Sequence, residues 1–162
     1  MDNNIPIIDE GQRQRLSIAG SSYRIIVSGE ETNGNYAVID MLVPPGSGPN
    51  PHAHAGFQEM FYVVDGEVEF KMEGRKHLAK KGTLVNIPLG GVVHCFKNTS
   101  DQVAHLLCTV VPAGLDTFFR EVGKPIEDDV DLPTPFSKEE MMLMKAIGEK
   151  YGQVFYAPDF LD

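Results

Sequence analysis

Two of the chain's five histidines, His52 and His54, stand one residue apart, and Glu59 follows soon after. Successive side chains of a strand alternate faces, so His52 and His54 point the same way and can reach a single ion. Glu59 lies at an odd offset from both, and on one continuous strand it would face away. Gly56 suggests that the chain turns there and begins a new strand, returning Glu59 beside the histidines from a neighbouring strand. The Asp65-Gly66 pair reads as a two-residue hairpin. That register sets Val63 opposite Val68, Phe61 opposite Phe70 and Glu59 opposite Met72. Glu59 then points inward, into a cavity lined by Phe61, Val68, Phe70 and Met72. An ionised carboxylate is not stable there alone and needs a cation.

A third histidine comes from "GTLVNIPLGGVVHCFKN", where His94 and Phe96 share a face. An even-numbered turn through "NTSD" sets Phe96 opposite Val103 and His94 opposite His105, whereas a three-residue loop reverses that register. Three neutral imidazoles and one carboxylate suit a divalent first-row metal such as Fe, Mn, Co, Ni or Zn. Four protein ligands on an octahedral ion leave two positions for water, substrate or dioxygen, an arrangement suited to catalysis.

The elements that position these residues are short. Runs such as "RLSIAG", "SYRIIVSG", "NYAVIDMLVP", "QEMFYVVDG", "EVEFKME", "GTLVNIP", "VVHCFKN" and "VAHLLCTVVP" read as strands broken by Gly, Pro and Asn, the pattern of an all-β sandwich or barrel. "ETNGNY" carries a second hairpin signal. The character changes after Pro112. Residues 1–112 are expected to form the N-terminal strands and barrel, and 113–162 a C-terminal extension of the same domain. "GLDTFFREVG" gives one or two helical turns anchored by Phe118 and Phe119. The acidic, Pro-rich stretch over 122–136 reads as a surface strap, with a lid as the alternative. A helix is expected over about 137–151, capped by Ser137 with Glu140 completing a capping box and Gly152 ending it. Its Met141, Met144 and Ile147 fall at helical spacing and are expected to pack on the barrel.

The chain has 162 residues and a formal net charge of -9, with no basic stripe, so nucleic acid is not an expected partner. No apolar run is long enough for a membrane helix, and the first residues lack the pattern of a secretory signal. Two cysteines without a framework spacing suggest free thiols and a cytoplasmic setting. Cys95 and Cys108 are expected on the outward face, and His77 on the charged surface of "EGRKHLAKKG".

Gly46, His52, His54, Glu59 and Gly66 together resemble the first motif of the cupin superfamily. Gly82, Pro88, Gly90, His94 and Asn98 resemble its second motif, with one extra residue, Gly91, between Gly90 and the histidine. The resemblance spans Gly46 to Asn98. It implies a double-stranded β-helix, a small antiparallel jelly-roll barrel. It implies metal ligands at His52, His54, Glu59 and His94, and a homodimer. The segment "PAGLDTFFREVG" and the C-terminal helix are similar to single-domain quercetin-dioxygenase-like cupins. The function implied first is a divalent-metal-dependent dioxygenase for a small, flat or apolar substrate. Glu59 would then be ligand and proton acceptor, Phe61, Val68, Phe70, Met72 and Phe96 a dry pocket, and His105 a group behind the ligands or facing the substrate. A metal-dependent isomerase or lyase of a small oxo-acid or sugar, and a small-molecule binding protein without turnover, are the alternatives.

Overall fold

The structure is a computed structural model describing residues 6–127 and 133–162. Two antiparallel sheets face each other. The larger has seven strands in the order β11-β1-β2-β3-β10-β5-β8. These are β1 (Arg15–Ile18), β2 (Ser21–Val27), β3 (Ala37–Val43), β5 (Gln58–Asp65), β8 (Leu84–Ile87), β10 (Ala104–Val111) and β11 (Lys124–Ile126). The smaller runs β12-β4-β9-β6-β7. It comprises β4 (His52–His54), β6 (Glu67–Met72), β7 (Arg75–Lys80), β9 (His94–Lys97) and β12 (Gln153–Phe155). Helices α1 (Leu115–Val122) and α2 (Lys138–Lys150) belong to the C-terminal extension. The expected jelly-roll barrel with a helical extension is what the chain forms.

Period-two alternation builds the core. Ile39, Met41 and Val43 of β3, Leu106 and Val110 of β10, and Phe61 and Val63 of β5 all point inward and are almost fully buried. Val68, Phe70 and Phe96 meet them from the other sheet. Phe61, Phe70 and Phe96 form a triangle with centroids 5.3–5.4 Å apart, joining the two sheets beneath the candidate site.

Two hairpins read from the sequence are absent. Strand β5 pairs with β10 and β8, and β6 pairs with β7 and β9, so Asp65-Gly66 does not join paired strands. Gly66, at φ 73°, instead carries the chain from one sheet to the other. Strands β9 and β10 are likewise in different sheets, so His94 is not opposite His105. The inward set of β5 and β6 survives this correction because both sheets share one interior. The "ETNGNY" hairpin is present as the β2–β3 pair, with Asn33 and Gly34 at positive φ in a longer loop.

"EGRKHLAKKG" forms β7, an edge strand whose Lys and Arg residues and exposed His77 discourage further pairing. In the extension, Phe118 and Phe119 are buried, and Tyr23 meets Phe119 edge-on at 4.9 Å. Helix α2 has the full capping box of Ser137 and Glu140, and Gly152 follows it at φ 77°. Of the stretch 122–136, β11 pairs with β1, and the Thr134 amide donates to Ser17 Oγ at 3.2 Å, while residues 128–132 lie outside the described ones.

Candidate metal centre

His52 and His54 come from β4, with Ala53 between them turned to the other face. The chain bends at Ala55 and Gly56 and enters β5, as the spacing suggests, but β5 belongs to the opposite sheet. Glu59 therefore faces the histidines across the barrel rather than from a neighbouring strand. His94 arrives on β9, where it is the direct cross-strand partner of His52. One ligand atom from each of the four residues falls within 4.8 Å of the others.

Backbone carbonyls orient the three rings. Nδ1 of His52 lies 2.9 Å from the Asn50 oxygen, that of His54 3.1 Å from Phe57, and that of His94 2.9 Å from Val92. A carbonyl oxygen only accepts, so each Nδ1 carries the proton, and in the neutral ring each Nε2 presents a lone pair. These Nε2 atoms converge on Glu59, with His54 at 3.1 Å and His94 at 3.5 Å from Oε2. Lone pairs aimed at a carboxylate repel it unless a cation lies among them. His94 Nε2 is also fully buried without a hydrogen-bond partner. A divalent ion meets both requirements, and the donor set fits a first-row metal.

Burial alone would raise the Glu59 pKa; positive charge or N–H donation at His54 and His94 opposes it and takes the carboxyl well below the ordinary range, the same demand for a cation beside Glu59 that a bound ion would meet. Burial, then the neighbouring His94, pushes the His52 imidazole down to about 4, so His52 is in its ligating form at neutral pH.

Glu59 is held from behind by Cys108, whose Sγ donates to Oε1 at 3.3 Å. Cys108 thus points inward, contrary to the outward face expected for it. Cys95 does face outward, on the other sheet. Burial and the nearby Glu59 raise the Cys108 thiol well above its usual pKa, keeping it a donor. Cys108→Ala is expected to destabilise the metal-free protein by about 1–3 kcal/mol, the effect of leaving a buried acceptor unpaired. Cys108→Ser, which keeps a donor, is expected to lose less, and denaturant titration of the two variants reads the difference.

A cavity of about 210 Å³ adjoins His52, His54 and Glu59. Phe61 and Phe96 line it. Val68 and Phe70 are packed beneath it in the core, and Met72 sits at the end of β6, so these three do not form its wall. The extension supplies much of the rest: Phe118 and Phe119 of α1, Pro135 and Phe136 before α2, Met141, Met144 and Lys145 of α2, and Gln153 and Phe155 of β12. Met144 and Ile147 do pack on the barrel core, and Met141 and Met144 also wall the cavity. His105 is not part of this site. It lies on the outer face of the seven-stranded sheet and bonds to Asp40, because β10 pairs with β3 rather than β9.

Sequence reasoning missed Tyr23, Cys108, Lys145 and Gln153. Tyr23 was available from the alternation of "SYRIIVSG", in which Tyr23 and Ile25 share the inward face. Gln153 sits on a three-residue strand that carries no periodicity of its own.

A family model described as "Cupin domain" matches residues 39–110. The quercetin 2,3-dioxygenase of Bacillus subtilis (strain 168) is 25% identical over 130 residues, 80% of this chain. The chain spans only 38% of that relative's length. The crystal structure of a predicted oxalate decarboxylase from Thermotoga maritima matches 66% of this chain and 99% of its own, with TM-score 0.62 and 21% identity. That of the polyketide cyclase RemF from Streptomyces resistomycificus matches 85% and 90%, with TM-score 0.60 and 15% identity. At such identities the two structures bear on the fold alone, and with the family match, both motifs and the two-sheet barrel they place this chain in the cupin superfamily.

Proposed function

We propose that this chain is a divalent-metal-dependent dioxygenase acting on a small, largely apolar or aromatic substrate bound in the barrel cavity. The observation that carries the reading is the convergence of three carbonyl-oriented Nε2 lone pairs and the Glu59 carboxylate beside an aromatic cavity. The distant likeness to quercetin 2,3-dioxygenase supports it.

His52, His54, His94 and Glu59 would hold the ion. When bound, the ion supplies Lewis-acid charge and, for iron, manganese, cobalt or nickel, a site for reaction with dioxygen. The other roles belong to the chain. Oε2 of Glu59 faces the ligand side and would accept the proton of a substrate hydroxyl, while Cys108 fixes Oε1. Phe61, Phe96, Phe118 and Phe119 exclude water and offer flat faces to a ring. The cavity of about 210 Å³ lies below the ~300–1,000 Å³ of sites for drug-sized ligands, which favours a small substrate.

The test is elemental analysis of the purified chain and of chain reconstituted with each metal, followed by oxygen uptake against flavonols and diketones. The reading expects about one equivalent of metal per chain and substrate-dependent oxygen consumption. Metal loading without uptake across the panel would leave a Lewis-acid or binding function instead.

A further inference from the structure

The cavity's polar groups are not all accounted for by the metal. Gln153 of β12 is the cross-strand partner of His54, so the two side chains share the inward face. Gln153 is 95% buried by area (5% exposed), and its Nε2 has no hydrogen-bond partner. A buried amide donor left unpaired is unfavourable, a cost that a ligand oxygen would remove. Lys145 of α2 also lines the cavity, half-buried, and no carboxylate among the described residues pairs with it. It is the only Lys or Arg among the described lining residues, whose other polar members besides the metal ligands and Gln153 are the uncharged Ser21, Tyr23 and Asn50. An amide donor beside the metal ligands and one ammonium in an apolar wall fit an acceptor oxygen and a single negative charge.

We propose that the C-terminal extension selects the ligand: Gln153 and Lys145 together recognise a small aromatic carboxylate, and neutral analogues of the same shape bind weakly. Lys145 neutralises the carboxylate, and the Gln153 amide donates to a ligand oxygen on the His54 side. One ammonium matches a singly charged carboxylate. A phosphate group would call for more cations than the cavity offers. The aromatic part lies against Phe96, Phe118 and Phe119. This deepens the substrate class of the proposed function and rests on the same cavity being the ligand site.

The probes are 2-naphthoate and 2-naphthamide, which share a ring system and differ in charge. Each is titrated calorimetrically into the full chain, metal-free and metal-loaded, with metal content measured on the same samples. In the wild type, naphthoate is expected to bind about tenfold tighter than naphthamide or more, the worth of one charge-assisted hydrogen bond. Lys145→Met, which keeps the apolar stem, is expected to erase that preference by weakening naphthoate more than naphthamide. Gln153→Leu is expected to weaken both probes by about fivefold, since both carry an acceptor oxygen. Equal affinities in the wild type, no binding of naphthoate, a preference that survives Lys145→Met, or no effect of Gln153→Leu each overturns the proposal. The metal-free arm separates the two readings. A Lys145-dependent preference in protein that takes up no metal sustains this inference while the dioxygenase reading fails. Metal loading without the preference does the reverse.

Discussion

Asp40→Ala is expected to destabilise the protein by about 3–5 kcal/mol, the range seen when one partner of a buried ion pair is removed. Asp40 lies on β3 between β2 and β10, and the alternation that turns Ile39 and Met41 inward turns Asp40 out. It is nonetheless only 3% exposed, because side chains from the flanking strands close over it. Arg15 Nη2 donates to Oδ2 at 2.9 Å, Arg24 Nη2 forms an ion pair with the same oxygen at 3.3 Å, and His105 bonds to Oδ1. Both guanidiniums are themselves largely buried. Removing the carboxylate leaves two cations facing each other on adjacent strands, since Arg15 and Arg24 are direct partners in the β1–β2 ladder. Domains are typically stable by only ~5–15 kcal/mol, so the loss is large on that scale. Denaturant unfolding of Asp40→Ala beside Arg24→Met and the double variant would measure it. The double variant should recover part of the loss, because it removes an unpaired charge as well as a partner. A loss in Asp40→Ala below about 1 kcal/mol would mean that water, not Asp40, solvates the arginines.

This cluster also explains the misplacement of His105. Parity along a strand is a local property, so the sequence carried it. The inward placement of Glu59, Phe61, Val68, Phe70 and Phe96 was available from alternation alone. Which strand lies beside which is a property of the whole chain. Asp65-Gly66 has the composition of a tight hairpin, yet in a two-sheet barrel the same residues serve as a bridge between sheets. The positive φ that Gly66 supplies is needed in either case, so composition does not separate the two. His94 and His105 were aligned across a turn that is also a bridge. Glu59 reached the correct place for a partly wrong reason, since it crosses from the facing sheet. Strands β4, β11 and β12 are only three residues long and carry too few alternations to declare themselves. Gln153 and its neighbours were therefore invisible as site residues, although the two motifs made the metal ligands plain.

Glu59→Gln is expected to remove stoichiometric metal binding while leaving a folded chain, and this separates the centre's chemistry from its architecture. The substitution keeps the size of a side chain 3% exposed, so the surrounding packing has no new cavity to accommodate. It removes the only carboxylate among the four candidate ligands. An amide is a poor ligand for a first-row ion beside imidazoles, and the ion would carry its full charge into an apolar cavity. Loss of one ligand or its orienting partner commonly lowers metal affinity by ~10–100-fold or more. In the metal-free protein the sign of the stability change is expected to reverse. Wild type holds a buried carboxylate against lone pairs from His54 and His94, at 3.1 and 3.5 Å from Oε2. In Glu59→Gln the neutral amide can turn its NH2 toward those lone pairs and donate to them. The variant should therefore melt at or above the metal-free wild type and below the metal-loaded wild type. Binding to the native state alone stabilises the loaded protein by RT ln(1 + [L]/Kd), a gain the variant lacks. Elemental analysis and thermal unfolding with and without added metal read both halves. If Glu59→Gln retains a full equivalent of metal, the histidines suffice and Glu59 is free for proton transfer alone. If it is less stable than the metal-free wild type, the carboxylate is paired with a protonated histidine in the resting protein, and the cluster stands without an ion.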